Sequence, residues 1–321
     1  MNAITPDKLV NLGGLRVSRQ GYGAMGLSHT YGHAEDAASI KTIHHAIELG
    51  INFFDTAEAY GQGHNETLLG EALKGKRDGL VVATKFSGGG GIAEGNVKNI
   101  AKSLEASLKR LQVDVIDLYY QHRQDATVPV EDVVGELARY VEQGKIKAIG
   151  LSEVSLATLK RAHAVHPITA VQSEYSLWTR DFEADVIPFI RENNIGYVAY
   201  SPLGRGFLAG QENTDDGNRR GVHPRFTPEA IAANGVRRKA IEAVAATHGV
   251  TIAQVALAWV LSKPGIVPIP GTRHISHLEQ NWAANKLVLA QGDIAALEDA
   301  FPRGATFGTR YPAEQLTKFN A

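Results

Sequence analysis

The sequence contains no cysteine. That absence excludes disulfides, thiolate zinc sites, iron–sulfur clusters and a cysteine nucleophile together. There is also no surplus of charge, since 33 Lys and Arg stand against 34 Asp and Glu, for a formal net charge of −1. Nothing is left over to neutralise phosphates, so neither a nucleic-acid partner nor a membrane partner is expected. Long hydrophobic runs are missing as well. Stretches such as 255–261 are far too short to span a bilayer. The opening Met-Asn-Ala-Ile-Thr-Pro-Asp lacks the charged-then-apolar order of a secretory signal. These absences predict a soluble, cytoplasmic chain. The sequence leaves the oligomeric state open, with a monomer plausible.

What is present is an alternation. The chain has 321 residues, 44% of them hydrophobic, enough for a sizeable core. Short apolar runs recur at 21–26, 51–56, 80–86, 115–122, 146–153, 169–175, 196–203 and 266–271. Between them lie stretches of helical period. Val97, Ile100, Ala101, Leu104, Leu108 and Leu111 follow i, i+3, i+4 spacing. Ile40, Ile43 and Ile47 do the same before Gly50, and Val130, Val133, Val134, Leu137 and Val141 before Gly144. Near-continuous apolar strands suit parallel strands covered by helices. Eight such units predict an α/β fold, a (β/α)8 TIM barrel in which 1–321 is one domain. Three pieces fall outside the repeat. Residues 9–17, with Gly13-Gly14 at the centre, predict a hairpin across the bottom of the barrel. Residues 204–235 read as a long Gly-rich loop after strand seven, with Arg219 and Arg220, that would serve as a lid. Residues 301–321 read as a tail with little pattern.

In such a barrel the strand C-termini carry the chemistry. The second strand ends in Asp55, with Tyr60 just beyond, the third in Thr84-Lys85, and the fourth in Gln121-His122. Each has a plain structural reading alone: Asp55 as an Asx-turn or N-cap residue, Lys85 as a solvated strand end, Tyr60 as a packed rim aromatic, His122 as a structural hydrogen-bond donor. Together on one rim they form a set with a mechanism. Tyr, with a reference pKa near 10, is a poor acid at neutral pH. An adjacent ammonium would lower that value, Asp55 would keep Lys85 charged, and His122 would donate to a carbonyl oxygen as charge builds on it. The set protonates an alkoxide and needs a hydride from elsewhere.

The motifs around these residues are GYGAMGLS at 21–28, DTAEAYG at 55–61, ATKF at 83–86, DLYYQHR at 117–123, AYSPLGRG at 199–206 and VPIPGTR at 267–273. In this order they resemble the aldo-keto reductases over about 12–290, in particular the bacterial and plant branch with short substrate loops. The resemblance implies a catalytic tetrad at Asp55, Tyr60, Lys85 and His122, with Tyr60 as proton donor and NADPH/NADP+ as the cofactor. The expected partner is a small-molecule carbonyl compound, an aldehyde or ketone. It also implies a cofactor lying across the barrel mouth. Gly23 and Met25 would lie beside it, Ser152 and Gln172 would hold the nicotinamide amide, and Tyr200 would stack on the ring. Ser201, Leu203, Gly204 and Arg205 would follow the pyrophosphate. Gly271, Thr272, Arg273, His277, Gln280 and Asn281 would wrap the adenosine end, with Arg273 on a 2′-phosphate. Many family members carry Asn after Ser152. Here Glu153 stands there, which cannot donate when ionised, so it receives no cofactor role.

Gly21-Tyr-Gly23-Ala-Met-Gly26 also fits G-x-G-x-x-G, but it lacks the flanking strand, helix and acidic residue of a dinucleotide fold. His29, His33, His44, His45 and His64 have no carboxylates at ligand spacing, so no metal is expected. Tyr31, Phe86 and Trp178, with Met25, Phe207 and Phe226, would offer an apolar surface to the substrate. Two other functions share the same residues: a cofactor-binding regulatory or sensor protein with little turnover, and a Schiff-base lyase using Lys85.

Overall fold

The computed structural model describes residues 9–28, 32, 34–87, 97–125, 127–212 and 219–316. The chain begins with the hairpin. β1 (Leu9–Leu12) and β2 (Leu15–Ser18) pair antiparallel around Gly13-Gly14, with Leu12 opposite Leu15. A Cβ on Gly13 would fall 1.9 Å from Thr169 O, and its φ is +59°, so only glycine fits this turn against the barrel floor.

The barrel follows. Its strands are β3 (Tyr22–Gly23), β4 (Phe53–Asp55), β5 (Val81–Phe86), β6 (Leu118–Gln121), β7 (Ile149–Ser152), β8 (Ala170–Glu174), β9 (Gly196–Tyr200) and β10 (Ile266–Pro268). All eight are parallel and pair in sequence order. The ring closes where Gly21 N–H donates to Pro268 O at 3.0 Å. At this seam a Cβ on Gly23 would lie 2.6 Å from Ile269 O, and one on Gly271 2.3 Å from Gly23 O. The glycine at 23, expected to give the backbone access to a cofactor, is required by strand-to-strand contact.

The covering helices are α1 (Asp36–Leu49), α2 (His64–Leu73), α3 (Val97–Leu111), α4 (Val130–Glu142), α5 (Leu156–Val165), α6 (Val186–Glu192), α7 (Pro228–His248), α8 (Ile252–Leu261), α9 (Ile275–Ala283) and α10 (Gln291–Ala300). Gly50 ends α1 in the left-handed region at φ 98°, its N–H on Ala46 O and Ile47 O, as the sequence suggested. α8 starts on a capping box between Thr251 and Gln254. α7 corrects the reading of 204–235 as loop throughout. Thr227 caps it by accepting from Ala230 N–H, and Pro228 occupies its first turn, so the helix takes the last quarter of that span. Among the described residues no single helix is long and apolar enough to cross a membrane.

Strand alternation divides the core in two. Inside the barrel lie Phe53, Ala83, Leu118, Tyr120, Ala170, Val198 and Val267, closed from below by Leu12 and Val17 of the hairpin. Outside, residues such as Phe54, Val82, Phe86 and Tyr119 meet the helices. Leu12 is fully buried in the inner set. Leu12→Ala is expected to lower stability by about 2–5 kcal/mol, the usual cost of a cavity of this kind. Urea unfolding measures it, and a loss under about 1 kcal/mol would show that the hairpin does not seal the barrel.

Candidate active site

Parallel register brings the ionisable strand ends to one rim. Asp55 sits opposite Ala83 on β5, and Lys85 opposite Tyr120 on β6. The Lys85 ammonium donates to Asp55 Oδ1 at 2.5 Å, to Thr56 O at 2.8 Å and to the Tyr60 hydroxyl at 3.5 Å. The second Asp55 oxygen accepts from Gln172 Nε2 at 2.7 Å. Tyr60 opens the helical turn Tyr60–Gly63, where Gly61 and Gln62 are left-handed and turn the chain back over the mouth. His122 is anchored by its backbone N–H to Phe86 O at 3.1 Å, and its Nδ1 pairs with Ser87 Oγ at 3.3 Å. Its ring stands edge-on to Tyr60, with centroids 5.7 Å apart. The four expected residues therefore converge.

Burial sets their protonation. It raises the Asp55 carboxyl, and Lys85 and Gln172 only partly oppose it. It lowers the Lys85 ammonium, against the pull of Asp55. It pushes the Tyr60 hydroxyl up; Asp55 pushes it further, while the Arg123 charge pulls it down. The lowering expected from Lys85 is thus not the net result, because burial first and the Asp55 charge second raise the hydroxyl. His122 is held well below its usual value, first by burial and then by Arg123 and Lys85, so the imidazole is neutral.

A second polar cluster rims the first. Arg123 Nη1 donates to His122 O at 2.7 Å and to Ser152 Oγ at 2.9 Å. Glu153, left-handed at φ 56°, accepts both oxygens' bonds from Arg310, at 3.0 and 2.9 Å, and one from Glu174 N–H. Glu174, fully buried on β8, faces Arg205 at 2.8 Å and Arg225 at 3.5 Å. The Tyr200 and Tyr311 hydroxyls lie 2.9 Å apart, and the Arg205 guanidinium sits over the Tyr311 ring at 4.8 Å. The residues after α10, read as a patternless tail, thus complete the mouth. Arg123, Glu174, Arg225, Arg310 and Tyr311 were not singled out from sequence. The Arg next to His122 was the one visible signal.

A model of the Aldo/keto reductase family matches residues 20–301. The chain belongs to the aldo/keto reductase family. It is therefore an oxidoreductase of carbonyl compounds. A probable aldo-keto reductase 1 of Glycine max is 47% identical over 323 residues, covering 96% of this chain and 92% of that one. Among solved structures, a glycerol dehydrogenase from Gluconobacter oxydans is 28% identical with a TM-score of 0.82, covering 93% of this chain and 96% of its own. An aldo/keto reductase from Klebsiella pneumoniae, in complex with NADP and acetate, is 27% identical with a TM-score of 0.75, covering 95% of this chain and 99% of its own.

Within this aldo/keto reductase the other expected residues separate into groups. Ser152 and Tyr200 end strands β7 and β9, and Gln172 lies within β8, two residues before its end. Ser201, Gly204 and Arg205 follow with positive φ, and Leu203 accepts the Gly206 and Leu208 N–H bonds. Met25 lies half-buried in the turn Ala24–Leu27. Thr272 O accepts from Tyr22 Oη at 2.5 Å, and the half-buried Arg273 reaches Gly32 O at 3.2 Å. His277 and Gln280 are exposed on α9, while Asn281 is buried and its carbonyl takes Gln20 Nε2. Arg205, expected beside a pyrophosphate, has its guanidinium on Glu174. Phe86 corrects the substrate reading: it is fully buried on the outer face of β5, 5.3 Å from the Tyr119 ring, because it follows the inward-facing Lys85. Trp178 is packed as well, stacked on Phe207 at 4.1 Å with Phe226 against its edge. Tyr31, His29 and His33 lie outside the described residues. Among the described residues no cluster of three metal-ligating side chains occurs.

Burial would raise Glu174, but Arg205, Arg310 and Arg225 outweigh it and hold the carboxyl below its usual range. Its stabilisation is full above the unfolded carboxylate pKa, about 4.3, and is lost as pH falls through the lower folded value. Glu174→Gln removes the buried charge that faces two buried guanidiniums and should cost about 3–5 kcal/mol at neutral pH. Thermal unfolding of the two proteins decides this; equal melting temperatures would refute it.

Proposed function

We propose that this aldo/keto reductase converts aldehydes and ketones to alcohols using NADPH, with Tyr60 as the proton donor. The observation that carries the reading is the buried Asp55–Lys85 pair, with the Tyr60 hydroxyl 3.5 Å from the same ammonium. Relatives in complex with NADP and with NADPH support the cofactor. So does the chemistry of the mouth. Ser152 accepts from Arg123, which leaves its own hydroxyl proton to donate. Gln172 donates its amide N–H to Asp55, which leaves its carbonyl oxygen as an acceptor. That donor and acceptor suit a carboxamide. The Tyr200 ring suits a flat heterocycle, the left-handed turn from Ser201 to Gly206 suits a phosphate chain, and Arg273 suits a 2′-phosphate.

Bound there, the reduced nicotinamide supplies a hydride to the carbonyl carbon. The protein's residues manage the oxygen. Neutral His122 offers a hydrogen bond to it through the ring nitrogen not engaged by Ser87, and that bond strengthens as negative charge develops. The raised Tyr60 pKa keeps the hydroxyl protonated until that charge appears. Tyr60 Oη then gives up its proton, and the Lys85 ammonium steadies the phenolate that remains. Asp55 keeps Lys85 cationic in a site whose burial favours the neutral amine.

Tyr60→Phe is expected to reduce turnover about 10²–10⁴-fold while NADPH still binds. NADPH consumption on an aldehyde panel, with a fluorescence titration of the cofactor, separates the two effects; undiminished turnover would remove Tyr60 from the mechanism. Arg273→Met should weaken NADPH far more than NADH. Equal losses for the two cofactors would remove the 2′-phosphate role.

A further inference from the structure

Asp55 and Lys85 stand on strands and His122 directly follows one, whereas Tyr60 comes from a turn. The backbone of that turn is irregular. Gly61, Gln62 and Gly63 are all left-handed, at φ 59°, 55° and 91°, and Gln62 is exposed. A turn of this kind is placed by whatever grips its two ends. On the near side, Thr56 N–H donates to Ala83 O at 2.9 Å and Glu58 N–H to Lys85 O at 3.1 Å. On the far side the chain runs directly into α2 at His64.

Strand alternation supplies the second grip. Asp55 and Lys85 point into the barrel, so Thr56, next after Asp55, and Thr84, just before Lys85, point outward. Both threonines are fully buried. Thr56 Oγ1 donates to Asn65 Oδ1 at 2.6 Å, and Thr84 Oγ1 donates to Glu66 Oε1 at 2.6 Å. Asn65 and Glu66 are the second and third residues of α2, and both are buried. Neither acceptor is free to swing. Asn65 Nδ2 donates to Ala24 O at 2.9 Å and to Ser28 Oγ at 2.7 Å, and Glu66 Oε2 accepts from Arg110 Nε at 2.7 Å. Thr56 also gives its carbonyl to the Lys85 ammonium at 2.8 Å. The residues beside Asp55 and Lys85 thus hold the helix that begins where the Tyr60 turn ends.

We propose that Thr56 and Thr84 are positioning residues whose hydroxyls, through Asn65 and Glu66, set the place of the Tyr60 hydroxyl beside Lys85 and with it the rate of proton transfer. This rests on the reading of Tyr60 as proton donor given above. The geometry has little room for drift. The Tyr60 hydroxyl lies 3.5 Å from the ammonium, at the outer edge of hydrogen bonding. A misplacement of about 1 Å at a reacting group can cost about 10²-fold in rate. Both threonines face away from the barrel interior, so their effect falls on turnover and not on the binding of NADPH.

The test compares Thr56→Val and Thr84→Val, which remove one hydroxyl each and keep the branched shape, with Thr56→Ser and Thr84→Ser, which keep the hydroxyl. Each is made in the wild type and again in Tyr60→Phe, checked for a folded thermal transition, and measured by turnover on the aldehyde panel and by fluorescence titration of NADPH. In each valine variant kcat is expected to fall about tenfold while the NADPH dissociation constant stays within about twofold, and the serine variants stay within about threefold of wild-type turnover. In the Tyr60→Phe background the valine substitutions are expected to change kcat by less than about twofold, because the step they act on is already lost. If the valine variants keep their turnover, or lose NADPH affinity as much as turnover, or lose tenfold again in Tyr60→Phe, the threonines serve the fold alone and the proposal is overturned while the Tyr60 reading stands. Undiminished turnover in Tyr60→Phe itself overturns both. Should a valine variant not fold, alanine at the same position removes the hydroxyl with no second methyl to place, and the same limits decide.

Discussion

A carboxylate and an ammonium 2.5 Å apart, with side chains 3% and 1% exposed, sit at the open end of the barrel. Moving either ion out of water without the other would cost several kcal/mol. The surrounding structure is arranged so that neither stands alone. Gln172 takes the second Asp55 oxygen, and Thr56 O takes a second ammonium proton. The pair sits on neighbouring strands, so its geometry is set by backbone hydrogen bonds and not by a flexible loop. Tyr60 is the part that comes from a turn, and its hydroxyl depends on the pair for a charged neighbour. Such a site stores instability, and the closed barrel below it, with its hairpin floor and outer helical layer, supplies the compensating burial.

The rim uses the same device in a wider form. Glu153 directly follows β7 and Glu174 ends the adjacent β8, and the two are linked by a bond from the Glu174 N–H to the Glu153 carboxylate. Their guanidinium partners come from the segment after β9 and from the segment after α10. Two acids at the ends of adjacent strands thus fix two irregular segments. The aromatic stack of Trp178 on Phe207 backs this arrangement from the apolar side. Trp178 and Phe207, read from sequence as a surface for the substrate, are packed on each other.

How much of this could be read from the sequence follows from the range of the interactions involved. Helices α3 and α4 were legible because their apolar residues repeat at helical spacing. The barrel strands were legible as apolar runs, although ladder pairing occupies only their middles, as with Leu118–Gln121 inside 115–122. Asp55, Lys85 and His122 were legible because the fold brings strand ends together whatever the intervening sequence. Alternation explains the Phe86 error: the residue after an inward Lys85 must face outward. The Arg310–Glu153 pair joins residues 157 positions apart and leaves no local trace. Gly23 was visible as a glycine, but its neighbour across the seam, Gly271, could be identified only once the ring was closed.

The position of Arg310 and Tyr311 has a consequence for synthesis. Both are translated after every strand and after the helices α1 to α10. Until the closing segment arrives, the acidic Glu153 has no Arg310 and the Tyr200 hydroxyl has no Tyr311. The mouth is therefore completed by two side chains that follow every strand and the helices α1 to α10 in sequence, and not by another layer of structure.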